Sequence, residues 1–343
     1  MESTFSCGNY MIPPRMLSEK SILITGGTGS FGREFVRLAL KNFNPKKVII
    51  YSRDEWKQSE MQSLEEFKHS AIRFFLGDVR DRDRLELAMR QVDYVIHAAA
   101  LKQVPAAEYN PHEFIKTNVN GATNVMEAAL KAGVKKVLAL STDKAVNPVN
   151  LYGATKLCSD KVFIAANSYG SGGGTVFSVV RYGNVVGSRG SVIPIFQKQR
   201  ETGTISITNP EMTRFLITLR QGAEFVLKSL GDMVGGELFI PKIPACTVAD
   251  IANLVAPDCD WDTIGLRPGE KMHEVLIPED EARNVMEFEN HFVIQPIQTF
   301  WGNKIGIKGG TKCPDNFTYA SNINTVQFSG EELKLLLKDF IPS

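Results

Sequence analysis

A glycine-rich turn between a strand-like run and a helix-like run is the feature that most constrains the fold of this chain. Residues 21–25 are an apolar run, Gly27, Gly29 and Gly32 follow in G-x-G-x-x-G spacing, and residues 29–42 continue with helical apolar spacing. In this setting the spacing is typical of a dinucleotide site, because glycine lets the backbone approach a pyrophosphate at a helix N-terminus. The residues predicted to form the turn of this site are Gly26, Thr28, Gly29, Ser30, Phe31 and Gly32.

Short apolar runs alternate with helix-like segments through the first half of the chain. Strands are predicted over 47–52, 72–76, 94–99, 136–140 and 175–180, with helices over 54–67, 81–90, 113–132 and 152–168. This alternation predicts an α/β fold with a doubly wound parallel Rossmann sheet, covered by helices on both faces.

The pattern changes after residue 187, where helices are predicted over 192–200 and 219–230 among shorter elements that contain Pro and Gly. We expect a loosely ordered N-terminal extension over 1–19 and a dinucleotide-binding domain over 20–187. A smaller substrate-binding lobe is expected over 188–343, and some of its segments are allowed to return to the Rossmann domain.

The end of the second strand indicates which dinucleotide binds. An acidic side chain there would bind the ribose of NAD, whereas Arg accommodates the 2′-phosphate of NADP. Ser52 and Arg53 stand at this strand end and Lys57 lies one turn into the next helix, which favours NADP; Asp54, just beyond, keeps NAD open. The remaining predicted cofactor contacts follow the third and fourth strands: Asp78, Val79, Ala98, Ala99 and Ala100. His97 is interpreted as structural rather than as a base.

Composition excludes several classes of protein. The 343 residues are 43% hydrophobic with a formal net charge of +1, so neither nucleic acid nor an anionic membrane is an expected partner. The five cysteines are scattered without a Cys-x-x-Cys pair, which argues against disulfides and metal sites and favours a reduced, cytoplasmic protein. No apolar run approaches the roughly 20 residues of a membrane span.

Two groups of residues carry candidate chemistry. Tyr152 and Lys156 share one helical face, and a cationic Lys with an oxidised nicotinamide is expected to lower the Tyr pKa, so that phenolate accepts a hydroxyl proton. Both are also predicted cofactor contacts. Thr142, Asp143 and Lys144 leave the fifth strand where ligands bind in such sheets. Thr142 can hydrogen-bond the reacting sugar hydroxyl, and Asp143–Lys144 is an acid–base pair that a simple dehydrogenase does not need.

The chain resembles the extended short-chain dehydrogenase/reductase superfamily, and within it the UDP-N-acetylglucosamine 4,6-dehydratases, from about residue 20 onward. The segments that carry the resemblance are 51–61 (YSRDEWKQSEM), 97–105 (HAAALKQVP), 141–148 (STDKAVNP), 181–190 (RYGNVVGSRG) and 267–274 (RPGEKMHE). Gln103 departs from the family, which commonly has His there; this affects only local contacts.

Within that family the chain looks like the configuration-inverting type, which starts pseudaminic acid synthesis. Inverting enzymes keep Tyr in Tyr-x-x-x-Lys, whereas membrane-anchored retaining relatives typically have Met there and N-terminal transmembrane helices. This chain has Tyr152 and no apparent membrane segment. The resemblance also implies a homo-oligomer, with the helices over 113–132 and 152–168 at the dimer surface.

The resemblance implies an NADP-dependent hydro-lyase acting on UDP-N-acetylglucosamine. Tyr152, with Lys156 and Thr142, removes the C4 hydroxyl proton while hydride passes to NADP; water then leaves across C5 and C6, and hydride returns to C6. Asp143 is the expected acid for the C6 hydroxyl, and Lys144 the proposed C5 base, which requires a depressed pKa. Tyr152 remains an alternative for this base. The product is UDP-2-acetamido-2,6-dideoxy-β-L-arabino-hex-4-ulose.

Substrate contacts are expected from resemblance and chemistry together. Two arginines can pair with diphosphate oxygens, an amide can bind the diphosphate or sugar, a carboxylate can hold the ribose and a lysine can reach the sugar. These residues are Arg214, Arg267, Asn184, Glu270 and Lys102. The alternatives left open are a C5-retaining dehydratase, a 4-epimerase, which needs no acid–base pair, and a non-catalytic NADP-sensing protein on the same fold.

Overall fold

The computed structural model describes residues 5–7, 10–13, 15–169, 174–187, 192–296, 306–338 and 340–341. Within these ranges a large sheet of ten strands organises the molecule. In spatial order its strands are Thr311–Lys312, Val285–Glu287, His291–Ile294, Leu238–Pro241, Val176–Tyr182, Lys136–Thr142, Tyr94–His97, Ser21–Thr25, Lys47–Ser52 and Ile72–Leu76. The strands from Leu238–Pro241 to Ile72–Leu76 run parallel to one another, and each of the other three pairs antiparallel with its neighbours. The expected doubly wound α/β fold is confirmed.

The strand order places the ligand edge. Strand Ser21–Thr25 pairs with Lys47–Ser52 on one side and with Tyr94–His97 on the other, so the order reverses between the first and fourth strands of the Rossmann unit. Open α/β sheets bind ligands beyond the carboxyl ends of the strands at such a reversal. Thr25 and His97 are the last residues of these two strands and lie opposite each other.

Helices cover both faces of the large sheet. Ser30–Asn42 packs beside Leu219–Asp232 on one face, and Gly121–Ala132 packs between Arg82–Ala88 and Leu151–Ala165 on the other. The further α-helices are Glu55–Ser63, Val104–Tyr109, Pro111–Phe114, Val192–Arg200, Val248–Val255 and Gly330–Leu336. Shorter 3₁₀ turns occupy Glu65–Phe67, Asp143–Ala145, Ala166–Ser168 and Glu279–Asn284. Among the residues that the structure describes, no helix has the length and apolar character needed to span a bilayer.

A second hydrophobic core underlies a smaller lobe. Ile193, Phe196, Ile205, Ile251 and Leu333 are among its buried side chains. In its small sheets Thr213–Ile217 pairs with Asn184–Val185 and with Ala245–Thr247, and Thr204–Ile207 pairs with Asp260–Thr263. A further two-stranded sheet, Val275–Ile277 with Tyr319–Ala320, contributes side chains to the large core. The sequence range 188–343 is thus shared, since the strands at 238–241, 285–287, 291–294 and 311–312 join the large sheet.

Several elements differ from the sequence-based expectation. The helix expected over 113–132 starts at Pro111 and contains a π-helical stretch, Ile115–Asn120, which the apolar pattern does not reveal. Helix Val104–Tyr109 was not expected. The N-terminal region holds a hairpin of Phe5–Cys7 and Tyr10–Ile12, and Ile12 and Leu17 are fully buried. These described parts of the extension therefore pack on the core rather than lying loose.

Candidate active site

The glycine turn is shaped for close approach of a ligand to the backbone. Gly26 adopts φ +68°, and a Cβ there would lie 3.0 Å from the Ala99 backbone. A Cβ on Gly32 would lie 2.5 Å from the Gly27 carbonyl oxygen, so helix Ser30–Asn42 packs directly on the turn. Gly29 precedes this helix without a side-chain cap, which leaves its first N–H groups free for a phosphate. The turn therefore fits a dinucleotide pyrophosphate.

The other residues expected around the dinucleotide lie at neighbouring strand ends. The Thr28 and Ser52 hydroxyls are 2.9 Å apart, and the Thr25 hydroxyl accepts hydrogen bonds from the backbone N–H groups of Ala98 and Ala99 at 3.2 Å each. These contacts draw the ends of three adjacent strands together. Ser30 and Phe31 lie in the first helical turn, Val79 is buried beyond the third strand, and Ala100 is exposed beyond the fourth.

Charged side chains of both signs surround the end of the second strand. Asp54 caps helix Glu55–Ser63 by accepting the Lys57 N–H, and its carboxylate pairs with the Lys57 ammonium at 2.5 Å. Arg53 is half exposed, and its Nη1 lies 3.5 Å from Asp78 Oδ2. Asp54 is thus engaged at its own helix, whereas the Arg53 guanidinium stands at the strand edge.

His97 is a structural residue at the end of the fourth strand. Its Nδ1 lies 2.8 Å from the Thr25 hydroxyl, and the ring packs against Phe163. Burial, with a smaller effect of the Lys156 charge, lowers the pKa of His97 to about 3. The imidazole is therefore neutral near pH 7 and locks the two central strand ends together.

The fifth strand delivers a compact polar cluster. Strand Lys136–Thr142 runs directly into the 3₁₀ turn Asp143–Ala145, and Asp143 is fully buried. The Thr142 hydroxyl donates to Asp143 Oδ1 at 2.8 Å, and Lys144 Nζ donates to the same oxygen at 3.1 Å. Asp143 Oδ2 has no hydrogen-bond partner among the residues that the structure describes. A buried carboxylate oxygen without a partner can accept or deliver a proton.

Tyr152 and Lys156 lie one turn apart in helix Leu151–Ala165, and both are buried. Asn150 begins this helix by accepting the Gly153 N–H at 2.8 Å, and its amide donates to the Gly269 carbonyl at 2.8 Å. The second bond ties the start of the helix to the 267–274 segment. Because Tyr152 and Lys156 are buried and lie four positions apart in this helix, they share one of its buried faces, as their spacing predicts.

The expected pKa values are not produced by the protein groups alone. Burial raises the pKa of Tyr152 to about 12, although Lys144 and Thr142 act in the opposite direction. Burial also lowers the pKa of Lys156, and Asp160 partly offsets this. The expected lowering of the Tyr152 pKa counts on an oxidised nicotinamide beside the phenol and stays a prediction; among the groups of the chain itself, desolvation of the phenolate outweighs the cations.

The expected depression of the Lys144 pKa is wrong. Burial alone would lower this pKa, but the negative charges of Asp143 and Glu274 outweigh it and raise the pKa above its usual range. Lys144 therefore stands as an ammonium ion held by carboxylates.

The residues expected to contact a substrate are spread around this cluster. Asn184 Oδ1 accepts from Lys144 Nζ at 3.4 Å, and burial together with the Lys144 charge lowers the pKa of Lys102. Arg214 donates to the carbonyls of residues 213, 271 and 272, so its guanidinium also braces the 267–274 segment. Arg267 is exposed, and Glu270 Oε2 accepts its backbone N–H at 3.3 Å. Residues 188–190 of the 181–190 motif lie outside the described residues.

Three buried side chains of the site were not predicted from the sequence. Asn118, in the π-helical stretch, bonds both backbone groups of Leu101 and the Thr155 hydroxyl. Asp160 accepts from the Ser141 hydroxyl at 2.6 Å, and Glu274 lies 3.5 Å from Lys144 Nζ. Two of them could have been noticed in the sequence: Asp160 lies four positions after Lys156, and Glu274 is the last residue of the 267–274 motif. No sequence pattern points to Asn118.

Comparison with known proteins places the chain among sugar-nucleotide enzymes. The family model described as polysaccharide biosynthesis protein matches residues 22–296. A Campylobacter jejuni protein named UDP-N-acetylglucosamine 4,6-dehydratase (inverting) is 53% identical over 93% of this chain and 97% of its own length. A Rickettsia conorii protein named UDP-glucose 4-epimerase is 41% identical over 94% of this chain and 96% of its own length.

A solved structure agrees with this placement. The X-ray structure of Pen from Bacillus thuringiensis superimposes with a TM-score of 0.85 and 38% sequence identity, covering 94% of this chain and 98% of that one. Since the family model spans most of the chain and both relatives cover nearly all of it, the chain belongs to the polysaccharide biosynthesis protein family of extended short-chain dehydrogenases/reductases.

Proposed function

We propose that this protein is a UDP-N-acetylglucosamine 4,6-dehydratase that inverts C5. The observation that carries the proposal is the buried Asp143–Lys144 pair, which Thr142 joins by hydrogen bond and which lies beside Tyr152. Dehydration needs an acid and a base close to the group that accepts the hydroxyl proton, and this cluster offers all three. The relative that bears this name is 53% identical along almost its full length.

NADP is the proposed cofactor. The glycine turn and the uncapped helix Ser30–Asn42 would hold the pyrophosphate, and Arg53 with Lys57 would hold the 2′-phosphate. When bound, the nicotinamide would supply the reversible acceptor for the C4 hydrogen that this chemistry requires. Asp54 supports the choice of NADP, because its carboxylate is already engaged by Lys57.

Tyr152 is the proposed acceptor of the C4 hydroxyl proton. The phenol needs nearby positive charge to ionise, since burial raises its pKa to about 12. Lys144 already acts in this direction, and Lys156, one turn along the same helix, is placed to support the phenolate as well. The Thr142 hydroxyl donates to Asp143 and lies beside the Tyr152 phenol, so it is placed to orient the substrate hydroxyl between them.

Asp143 and Lys144 perform the elimination after one proton shift. Lys144 Nζ and Asp143 Oδ1 are 3.1 Å apart, so moving one proton turns ammonium and carboxylate into amine and carboxylic acid. The amine takes the C5 proton, which the C4 ketone has acidified. The carboxylic acid protonates the C6 hydroxyl, the C6–O bond breaks, and water leaves as the C5–C6 double bond forms. Every proton removed is thereby accounted for.

The hydride taken from C4 returns to C6, and inversion requires that C5 regain a proton at that step on the face opposite to the base. Tyr152, which holds the proton from the C4 hydroxyl, is the other proton carrier of the site and the proposed donor. The nucleotide part of the substrate is assigned to Arg267 and Glu270, and the sugar–diphosphate region to Asn184, Arg214 and Lys102. Arg214 would add a ligand contact to its three backbone contacts.

An epimerase remains the second candidate, because a relative with that name is 41% identical. A 4-epimerase oxidises and re-reduces C4 and has no use for an acid–base pair at C5 and C6. The buried Asp143–Lys144 pair therefore favours the dehydratase.

Turnover of UDP-N-acetylglucosamine by the purified protein tests the proposal. With added NADP in deuterated water, NMR should show a 6-deoxy-4-keto sugar nucleotide with deuterium at C5. Formation of the C4 epimer without loss of water would establish the epimerase instead, and absence of turnover would refute both. A Y152F preparation, prepared in parallel, controls for contaminating activity.

A further inference from the structure

Glu274 is a buried carboxylate beside the proposed C5 base for which the mechanism above has no use. It is 3% exposed, and its Oε1 lies 3.5 Å from Lys144 Nζ and 3.8 Å from Arg214 Nε. Within the described part of the chain its Oε2 has no hydrogen-bond partner. Burying a carboxylate is costly unless cations compensate it, so its position between two cations calls for an explanation.

Three oxygens lie around the Lys144 ammonium group, which carries three N–H groups. These are Asp143 Oδ1 at 3.1 Å, Asn184 Oδ1 at 3.4 Å and Glu274 Oε1 at 3.5 Å. Each oxygen comes from a different part of the fold: the 3₁₀ turn, the short strand Asn184–Val185 and the 267–274 segment. The contacts with Asp143 and Asn184 are hydrogen bonds and the contact with Glu274 is an ion pair, so the Lys144 side chain is held from three sides.

The backbone holds Glu274 firmly at this position. Its N–H donates to the Ser321 hydroxyl at 2.9 Å, and its carbonyl accepts the Ser321 N–H at 2.9 Å. Nearer the start of the same segment, Lys271 donates to the Val146 carbonyl and Asn150 to the Gly269 carbonyl. The 267–274 segment is thus tied to Ser321 and to the part of the chain that directly follows the Asp143–Lys144 turn.

Each of the two carboxylates beside Lys144 has a cation next to it. Asp143 faces Lys144, and Glu274 faces both Lys144 and Arg214. When Lys144 passes a proton to Asp143, those two become neutral, and Glu274 keeps Arg214 as its counter-charge. The proton shift therefore leaves no buried carboxylate without a cation.

We propose that Glu274 is a positioning residue for Lys144, which aims the Lys144 nitrogen and sets the pH at which it can act as the C5 base. This inference rests on the proposed function. Glu274 acts through Lys144 and needs no contact with substrate. The charged and titratable groups that face Lys144 are Asp143, Tyr152, Glu274, Arg214, Lys102 and Lys271. Of these, Asp143 and Glu274 are the carboxylates that favour the ammonium form.

The test is the pH dependence of C5 deuterium incorporation and of kcat in E274Q, with NADP and UDP-N-acetylglucosamine present. In the proposed mechanism the Asp143–Lys144 pair is active while its two groups share one proton, and it becomes inactive once acid adds another. Removing the negative charge of Glu274, about 3.5 Å from Lys144, disfavours that additional proton, so the acid limb of the kcat profile should move down by roughly one pH unit. The plateau of kcat should fall roughly tenfold because the amine is less well aimed, while KM stays within about twofold.

E224Q is the matched control, since Glu224 is also a buried carboxylate with an arginine partner, Arg220, at 2.9 Å. We expect it to leave both the limb and the plateau at wild-type values. E274D keeps the charge at a greater distance and should give a limb between those of wild type and E274Q. If E274Q does not fold, the comparison of E274D with the wild type serves as the test.

A double variant separates positioning from general damage. If Glu274 acts through Lys144, K144A/E274Q should be no slower than K144A in a single turnover. The proposal is overturned if the acid limb of the kcat profile stays at the wild-type pH in both Glu274 variants, or if KM increases while kcat is unchanged. These results require that the wild-type protein turn the substrate over; failure at that earlier point refutes the proposed function instead.

Discussion

Lys144 Nζ lies 3.1 Å from Asp143 Oδ1, and the carboxylate of that pair is completely buried. Two residues adjacent in sequence thereby form an ion pair at the carboxyl edge of the sheet. In the proposed mechanism, a single internal proton shift within this pair yields the acid and the base of the elimination.

Replacing Asp143 by Asn should abolish dehydration, because an amide cannot deliver the proton that the C6 hydroxyl needs. We expect a loss of roughly 10²- to 10⁴-fold in the rate of 6-deoxy product formation, measured by NMR. D232N is the matched control, since Asp232 pairs with Lys228 at the end of a helix away from the site. A D143N protein that folds and retains more than about a tenth of the wild-type rate would show that Asp143 is not the acid.

Replacing Gly32 by Ala should weaken both the fold and the dinucleotide site. The added Cβ would lie 2.5 Å from the Gly27 carbonyl oxygen, so backbone must move, at about 1–3 kcal/mol of unfolding free energy. Urea unfolding and NADP titration measure the two effects. Gly330, also within a helix, has open space around its Cβ position, so G330A should change stability by less than about 1 kcal/mol. Equal stability of the two variants would contradict this account of the turn.

Replacing Arg53 by Ala should change the preference between the two dinucleotides. Hydrogen bonds to a charged phosphate contribute about 1.5–3 kcal/mol, so the NADP Kd should rise roughly 10- to 150-fold while that for NAD changes little. Titration with both cofactors gives the ratio. R200A, which removes a surface arginine paired with Asp258, should leave both affinities unchanged. A parallel weakening of NAD and NADP in R53A would mean that Arg53 does not read the 2′-phosphate.

His97 should make the protein acid-sensitive. Its pKa falls from 6.5 to about 3 on folding, so below pH 6.5 the unfolded chain binds a proton that the folded chain does not. The stability from neutral His97 is complete above pH 6.5 and is lost towards pH 3, at about 1.4 kcal/mol per pH unit.

Urea unfolding of H97Q between pH 6.5 and 4.5 checks this slope. The variant should be less stable at pH 7, since the bond to Thr25 is lost, but its stability should fall less steeply with acid. His291, whose pKa burial lowers to about 4, keeps part of the slope in both proteins. H69Q, at an exposed histidine, should match the wild type. Identical slopes in H97Q and wild type would contradict the buried neutral imidazole.

Much of the Rossmann half could be predicted from the sequence, because parallel strands are buried on both faces and stand out as short apolar runs. Strands Ser21–Thr25, Lys47–Ser52 and Ile72–Leu76 have the predicted bounds. The return of strands such as Leu238–Pro241 to the large sheet depends on pairings between distant segments, which local patterns do not encode. The π-helical stretch Ile115–Asn120 has the apolar spacing of an α-helix, so the sequence predicts an ordinary helix there.

The same limit applies to the candidate site. Tyr152, Lys156 and Asp143–Lys144 could be predicted because their chemistry lies in residues close together in sequence. The pKa values of Tyr152 and Lys144 could not, since they depend on burial and on Glu274, which tertiary folding brings to Lys144 from a distant segment. Asn118 acts only through its contacts with Leu101 and Thr155.

The configuration at C5 of the first product tests the central claim most directly. UDP-N-acetylglucosamine is incubated with the protein and NADP in deuterated water, and the earliest product is analysed by proton coupling constants in NMR. Proton removal by Lys144 and return from the opposite face predict the L-arabino 4-keto sugar with one deuterium at C5. A product that retains the original C5 configuration from the first time point would contradict it.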